Sequence, residues 1–209
     1  DHDYGPNDSD RSFPLKNLSL EMFKMYWGNT NFVFPNEGIT SKFQWADVEF
    51  FLMDDRWNKA PNELNDPNKD YWGAKQMNWL MDALISSKAS FKIIVNGGQV
   101  ISPAKVFENM ANYEAERTYL LKELKNRKIP GVLFLSGDRH ITNLNKLERE
   151  GTYPLFDLTV SPMTAGKADA VKQDYNETLV EGTLVQERAF SKIEVTGPLK
   201  DRTLTITIF

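Results

Sequence analysis

Residues 132–141 read VLFLSGDRHI. The first four are apolar and rich in β-formers. A short unbroken apolar run of this kind marks a strand covered on both faces, as in a parallel sheet. The run passes straight into Ser136 and Gly137, where the backbone is free to turn. Asp138 and His140 follow, two residues apart, so in an extended segment their side chains share one side. Strand carboxyl ends are where ligands bind in open α/β sheets. A carboxylate and a neutral imidazole also suit hard or borderline metal ions. The plainer alternative makes Asp138 the cap of a following helix and leaves His140 half-buried.

Working outward, residues 91–98 (FKIIVNGG) repeat the pattern of a buried strand ending in a turn. Between the two strands, residues 108–128 predict a long helix. Its apolar stripe is Met110, Tyr113, Tyr119, Leu120 and Leu124, and Ile129-Pro130-Gly131 stops it. Met77, Leu80, Met81 and Leu84 predict a second helix from Gly73. Residues 18–27 predict a short amphipathic one, capped by Ser19 and closed by Gly28-Asn29. Residues 43–45 and 48–53 predict two strands around a tight turn at Ala46-Asp47. After the 132–141 segment come a polar, helix-like stretch (144–150), a strand (155–161) and a loop. Two final strand patterns flank the turn TGPLKDR. Helix–strand alternation followed by strands alone predicts an α/β layered domain with a C-terminal antiparallel β meander.

The 209 residues are enough for one domain. Hydrophobic residues make up 41% of the chain and charged residues 26%, which supports a packed core. The net charge of −4 argues against a general nucleic-acid or anionic-membrane binder. With no cysteine there is no disulfide, thiolate metal site or thiol nucleophile. No stretch has the apolar length of a membrane span, and no phosphate loop, G-x-S-x-G elbow or H-E-x-x-H pattern occurs.

Three further clusters carry polar chemistry. The chain opens DHDYGPNDSD, with Asp1, His2 and Asp3 ahead of a Gly-Pro turn. Alone, this reads as a solvated tail, and Pro6 and Ser12 stand where a calcium loop needs glycine and glutamate. In LMDDRW, Arg56 follows two aspartates at a strand end. It is placed either to clamp an oxyanion or to pair with a neighbouring carboxylate. Asn96 closes the 91–95 strand as a turn former, a phosphate contact or a metal ligand.

Taken in order, DHDYGPNDSD, LMDDRW, AKQMNWLMDAL, FKIIVNGGQV, LFLSGDRHITNL and YPLFDLTVSPMTAG resemble the PhoD-like branch of the metallophosphoesterases, the alkaline phosphatase D family. The likeness runs from Asp1 to about Gly166, and its most specific elements are SGDRH and DHDYGPNDSD. It implies a two-sheet αβ sandwich with a metal pair at strand ends and hydrolysis of phosphomonoesters or phosphodiesters outside the cytoplasm, in the periplasm, at the cell surface or after secretion. It implies metal-ligand roles for Asp1, Asp138 and His140, and a leaving-group acid or phosphate-orienting role for His2. Arg56, Arg139 and Asn96 become substrate contacts. The metal pair would be iron with calcium, or manganese or zinc.

In this family further metal motifs precede the D-D-H element, and nothing precedes Asp1 here. The expectation is therefore a single domain, 1–209, forming the C-terminal portion of a longer catalytic domain. It should have an incomplete metal site, uncovered buried-type surface and little activity alone; its partners would be a phosphate ester and the N-terminal part of the same domain. A non-catalytic phosphate- or glycan-binding module on the same scaffold is the main alternative. A structural or interaction domain is the other, and it would keep Asp138 and His140 far from the opening residues.

Overall fold

The structure, a computed structural model, describes residues 2–209. In chain order its helices are α1 (Lys16–Tyr26), α2 (Gly73–Ser86) and α3 (Glu114–Asn126). Its strands are β1 (Ser41–Trp45), β2 (Val48–Leu52), β3 (Phe91–Val95), β4 (Val132–Ser136), β5 (Asn143–Leu147), β6 (Leu155–Thr159), β7 (Ser191–Thr196) and β8 (Thr203–Ile208). The first six strands form one sheet in the order β1-β2-β3-β4-β6-β5. Its four central strands run parallel, and β1 and β5 close the two edges antiparallel.

Alternation along the strands builds both layers. Phe51, Ile94, Val132, Phe134 and Leu155 project to one face, where they meet Met77, Leu80 and Leu84 of α2 and Leu120 and Leu124 of α3. The intervening Val48, Ile93 and Leu133 project to the other face. There β7 and β8 form a separate antiparallel hairpin, whose Ile193, Val195, Leu204 and Ile206 pack on that surface. Arg202 Nε donates to Asp47 Oδ2 at 2.7 Å and pins the hairpin to the β1–β2 turn. The fold is thus mixed α/β with two sheets of unequal size. Exposed large apolar side chains include Leu15 just before α1, Leu18, Met22 and Met25 on α1, and Phe43 and Trp45 on β1.

Three local expectations change. Residues 144–150 do not form a helix; most of them fall in β5, the edge partner of β6. Their polarity misled because Asn143 and Asn145 are buried as hydrogen-bonded amides: Gln99 Nε2 donates to Asn143 Oδ1 at 3.1 Å, and Thr178 Oγ1 to Asn145 Oδ1 at 2.9 Å. The long helix begins at Glu114 rather than residue 108. The chain reverses at Phe107 (φ +47°) and passes through a single 3₁₀ turn, Met110–Asn112, so Met110 and Tyr113 reach the core from outside the helix. Ser19 lies inside α1 and does not cap it; its hydroxyl donates to the Tyr4 carbonyl at 2.5 Å, and the helix ends before Gly28.

Tyr119 is 41% exposed while its neighbour Leu120 is fully buried. In urea denaturation, Leu120→Ala is expected to cost about 2–5 kcal/mol. Tyr119→Ala should stay within about 0.5 kcal/mol. Equal losses would contradict the face assigned to α3.

Candidate functional site at the strand carboxyl ends

Parallel pairing brings the carboxyl ends of β2, β3 and β4 side by side, and the turns that leave them lie together. The ladder continues past the strands: Asn96 N donates to the Leu135 carbonyl at 2.9 Å, and Gly137 N to the Gly97 carbonyl at 2.8 Å. At Gly97 a Cβ would meet Asp55 Oδ2, so a larger residue there would displace that carboxylate.

A cavity of about 360 Å³ opens over these turns. Its polar rim includes Asp3, Asp55, Arg56 and Asp138. The structure therefore brings the opening segment, the turn after β2 and the turn after β4 to one place. Asp138 is exposed to the cavity; partial desolvation by the walls around it, with the charges of Glu108 and Asp55, pushes its carboxyl above the ordinary range. Both Asp138 (φ +63°) and His140 (φ +53°) adopt the left-handed conformation, which Asp and His visit more readily than most residues. The His140 backbone is tied on both sides: its N–H donates to Ser161 Oγ at 3.1 Å, and its carbonyl accepts from Ala168 N at 3.1 Å. His2 is exposed in the turn that begins the described residues. The metal-ligand role expected of Asp1 lies outside them.

The arginines expected to hold phosphate have protein partners. Arg56 lines the cavity, but both its terminal nitrogens reach Glu108, with Nη1 to Oε1 at 2.5 Å. Lys59, fully buried, meets the same carboxylate at 2.5 Å. Arg56 Nη1 also reaches the Ser9 carbonyl at 3.4 Å, and Lys59 Nζ the Asp8 carbonyl at 3.2 Å, so this triad anchors the opening loop. Arg139 points away from solvent. Its Nη1 donates to Gln99 Oε1 at 3.1 Å, its Nη2 donates to Asp174 Oδ2 at 2.9 Å, and it lies over the Phe107 ring. A guanidinium so buried and paired braces the 137–140 turn and is not available to an ester. Asn96 is likewise spent inside the protein: Trp72 Nε1 donates to its Oδ1 at 2.9 Å, and its Nδ2 donates to Tyr71 Oη at 3.1 Å and to the Gly98 carbonyl at 2.7 Å.

Asp55 is the site residue that sequence reasoning missed. Tyr71 Oη donates to its Oδ2 at 3.2 Å, and Gly98 N to the same oxygen at 3.3 Å. A buried chain thus runs from Trp72 through Asn96 and Tyr71 to Asp55. Burial, reinforced by the charge on Asp55, raises the Tyr71 hydroxyl well above its ordinary value, so it stays a proton donor to that carboxylate. The signal was the doubled aspartate in LMDDRW, which the sequence offered only as ion-pair partners for Arg56. Asp54 plays a different part: its buried carboxylate accepts from the N–H groups of Ile39, Arg56 and Trp57, each at 2.8 Å, and shapes the turn.

An α/β sheet with glycine turns and converging carboxylates at its strand ends has the layout in which open α/β sheets bind ligands. A family model described as PhoD-like phosphatase matches residues 29–197, and the chain belongs to that family. It is 29% identical to alkaline phosphatase D of Bacillus subtilis (strain 168) over 92 residues, which are 40% of this chain and 16% of that protein. The solved structure of PhoD superposes with a TM-score of 0.75 at 16% identity, covering 99% of this chain and 50% of that one. The chain therefore spans about half the length of that solved relative.

Burial alone would raise the Glu108 carboxyl, but hydrogen bonds and charge from Arg56 and Lys59 hold it below the ordinary value of 4.5. Its contribution to stability is therefore present above that value and is lost as pH falls through the lowered one. Glu108→Gln removes the carboxylate shared by two buried cations, leaving Arg56 only its longer contact to Asp55 at 3.9 Å, and is expected to cost about 3–5 kcal/mol at neutral pH. The variant should also lose part of the wild-type acid-induced destabilisation. A flat wild-type stability profile from pH 6 down to about pH 3 would contradict the triad's role.

Proposed function

We propose that this chain carries part of a site that hydrolyses phosphoric esters. Family membership supports the reaction class. The observation that carries the reading for these residues is the meeting of Asp3, Asp55 and Asp138 on one strand-end cavity. Three carboxylates repel an anionic ester, so phosphate occupies this place only alongside added positive charge. A metal pair answers that need and is what the family implies.

Among the described residues, no group of three or more His, Asp or Glu side chains is arranged to hold a metal ion. They do not make a metal site by themselves. In our reading Asp138 and His140 belong to a ligand set completed outside the described residues, with Asp1 a member. The pair would be iron with calcium, or manganese or zinc. His2 is proposed to donate the proton to the leaving oxygen, a role that suits an imidazole near neutral pH. Arg56 keeps the opening loop in place at the cavity edge, and Arg139 and Asn96 act behind it as braces. Residues 1–209 then form the C-terminal portion of a longer catalytic domain, consistent with the half-length match to the solved relative. The protein would work in the periplasm, at the cell surface or after secretion. Among the described residues, no helix is long and apolar enough to cross a membrane.

The test is hydrolysis of p-nitrophenyl phosphate and bis-p-nitrophenyl phosphate with added manganese, calcium or iron, together with phosphorus NMR of inorganic phosphate. Slow turnover is expected, reduced about a hundredfold or more by His2→Ala. Phosphate binding should need metal and be lost in Asp138→Asn. Fast turnover that survives both His2→Ala and His140→Ala would overturn the reading. Metal-independent phosphate binding untouched by Asp138→Asn would instead favour a phosphate- or glycan-binding module.

A further inference from the structure

The inner stripe of α1 faces a void. Lys16, Ser19, Leu20 and Phe23 follow the i, i+3, i+4, i+7 spacing that normally seats a helix on a core. All four line the cavity at the strand ends. Opposite them stand Ile39, Met53 and Trp57, which line it too. The cavity is therefore two-ended, with Asp3, Asp55 and Asp138 supplying acidic groups and an apolar wall formed by three separate segments of the chain. Its volume of about 360 Å³ falls within the range of small-ligand sites, about 300–1,000 Å³.

The apolar wall is held in place rather than incidental. The Ser19 hydroxyl ties α1 to the Tyr4 carbonyl, and Tyr4 packs on Phe13 with ring centroids 5.6 Å apart. Trp57 is fixed through its N–H to Asp54 Oδ1 at 2.8 Å. Gly38, at φ +92°, leaves room for the buried Asp54 carboxylate, whose Oδ2 a Cβ there would meet. Lys16 Nζ lies 4.5 Å from the centre of the Trp57 ring. Among the described residues Lys16 has no ion-pair partner, unlike Arg56, the other cationic residue lining the cavity.

We propose that this apolar half is a leaving-group subsite, which selects phosphate esters of aromatic or compact apolar alcohols over esters of polyols. The proposal rests on the phosphoric-ester reading above and adds the substrate class. In it, the alcohol portion lies between Phe23 and Leu20 on one side and Met53 and Trp57 on the other. The phosphoryl group faces Asp55 and Asp138, and Lys16 offers a cation beside the bound ester. Burying an aromatic ring here yields apolar transfer and ring-contact energy that glycerol cannot supply.

The experiment uses the whole chain in calcium-containing buffer, titrated separately with 1-naphthyl phosphate, glycerol 2-phosphate and inorganic phosphate. Heteronuclear NMR follows the Trp57 indole N–H, the Leu20 methyl groups and the Asp138 amide. Naphthyl phosphate is expected to shift all three, and to bind about tenfold more tightly than glycerol 2-phosphate. Phe23→Ala should erase that preference, while Phe43→Ala on the edge strand β1, outside the cavity lining, should keep it. The wild-type spectra stand as a test even where Phe23→Ala fails to fold. Equal affinities for the two esters, with shifts at Asp138 but none at Trp57 or Leu20, would overturn the subsite and leave the ester reading intact. Shifts at Trp57 without any phosphate-dependent shift at Asp138 would overturn both, as would the absence of any shift.

Discussion

One carboxylate holds three parts of this molecule together. Glu108, nearly inaccessible, receives Arg56 from the turn after β2 and Lys59 from three residues further on. The same two cations reach back to the carbonyls of Ser9 and Asp8. A polar opening segment with little apolar content of its own is thereby fastened to the strand ends, and Arg11 adds a second tie through Asp70 at 2.6 Å. An ion cluster this deep is a weak source of net stability, because desolvation offsets much of the attraction. Its value lies in geometry: with three buried charges, only an arrangement that satisfies all of them is tolerable.

The second constraint is the parallel sheet. Running β2, β3 and β4 in register puts their carboxyl-end turns in one row, and each turn then contributes one element to the same cavity. The acids there are set from behind. Asp55 is oriented by Tyr71 and Gly98, Tyr71 by Asn96, and Asn96 by Trp72. The 137–140 turn is braced by Arg139, whose partner Asp174 lies in the loop before β7. Loop residues 99–101 are clamped from both sides: Asp157 Oδ2 accepts the N–H groups of Val100 and Ile101, and Arg117 donates to their carbonyls. Precision at the cavity thus depends on polar groups that never meet it.

Opposite this rigid side stands α1, whose tether is lighter. Leu20 is its one buried residue, and its outward Leu18, Met22 and Met25 are exposed. A helix whose inner stripe lines open space contributes shape more than packing energy. That distinguishes it from α2 and α3, whose stripes are buried against the sheet.

Local pattern was enough for the apolar strands, the α2 helix, the final hairpin and SGDRH, an element of the family likeness that lies within the matched residues 29–197. Those features depend on side-chain periodicity and turn residues, which are properties of neighbours in the chain. The β5 strand was not legible, because its buried amides are satisfied by Gln99 and Thr178, remote in sequence. Nor was the start of α3, set by the reversal at Phe107 and by the pull of Arg56 and Lys59 on Glu108. Arg139 read as a free cation until the fold supplied Asp174, 35 residues away, and Arg56 was offered only a neighbouring aspartate until Glu108, 52 residues away, came beside it. Asp55 was visible only as half of a charge pair until Tyr71 and the Gly97-Gly98 turn came beside it. The sequence by itself determined which segments could carry chemistry; the tertiary structure decided which side chains face the cavity, because a charge or amide is committed only when its partner arrives in space.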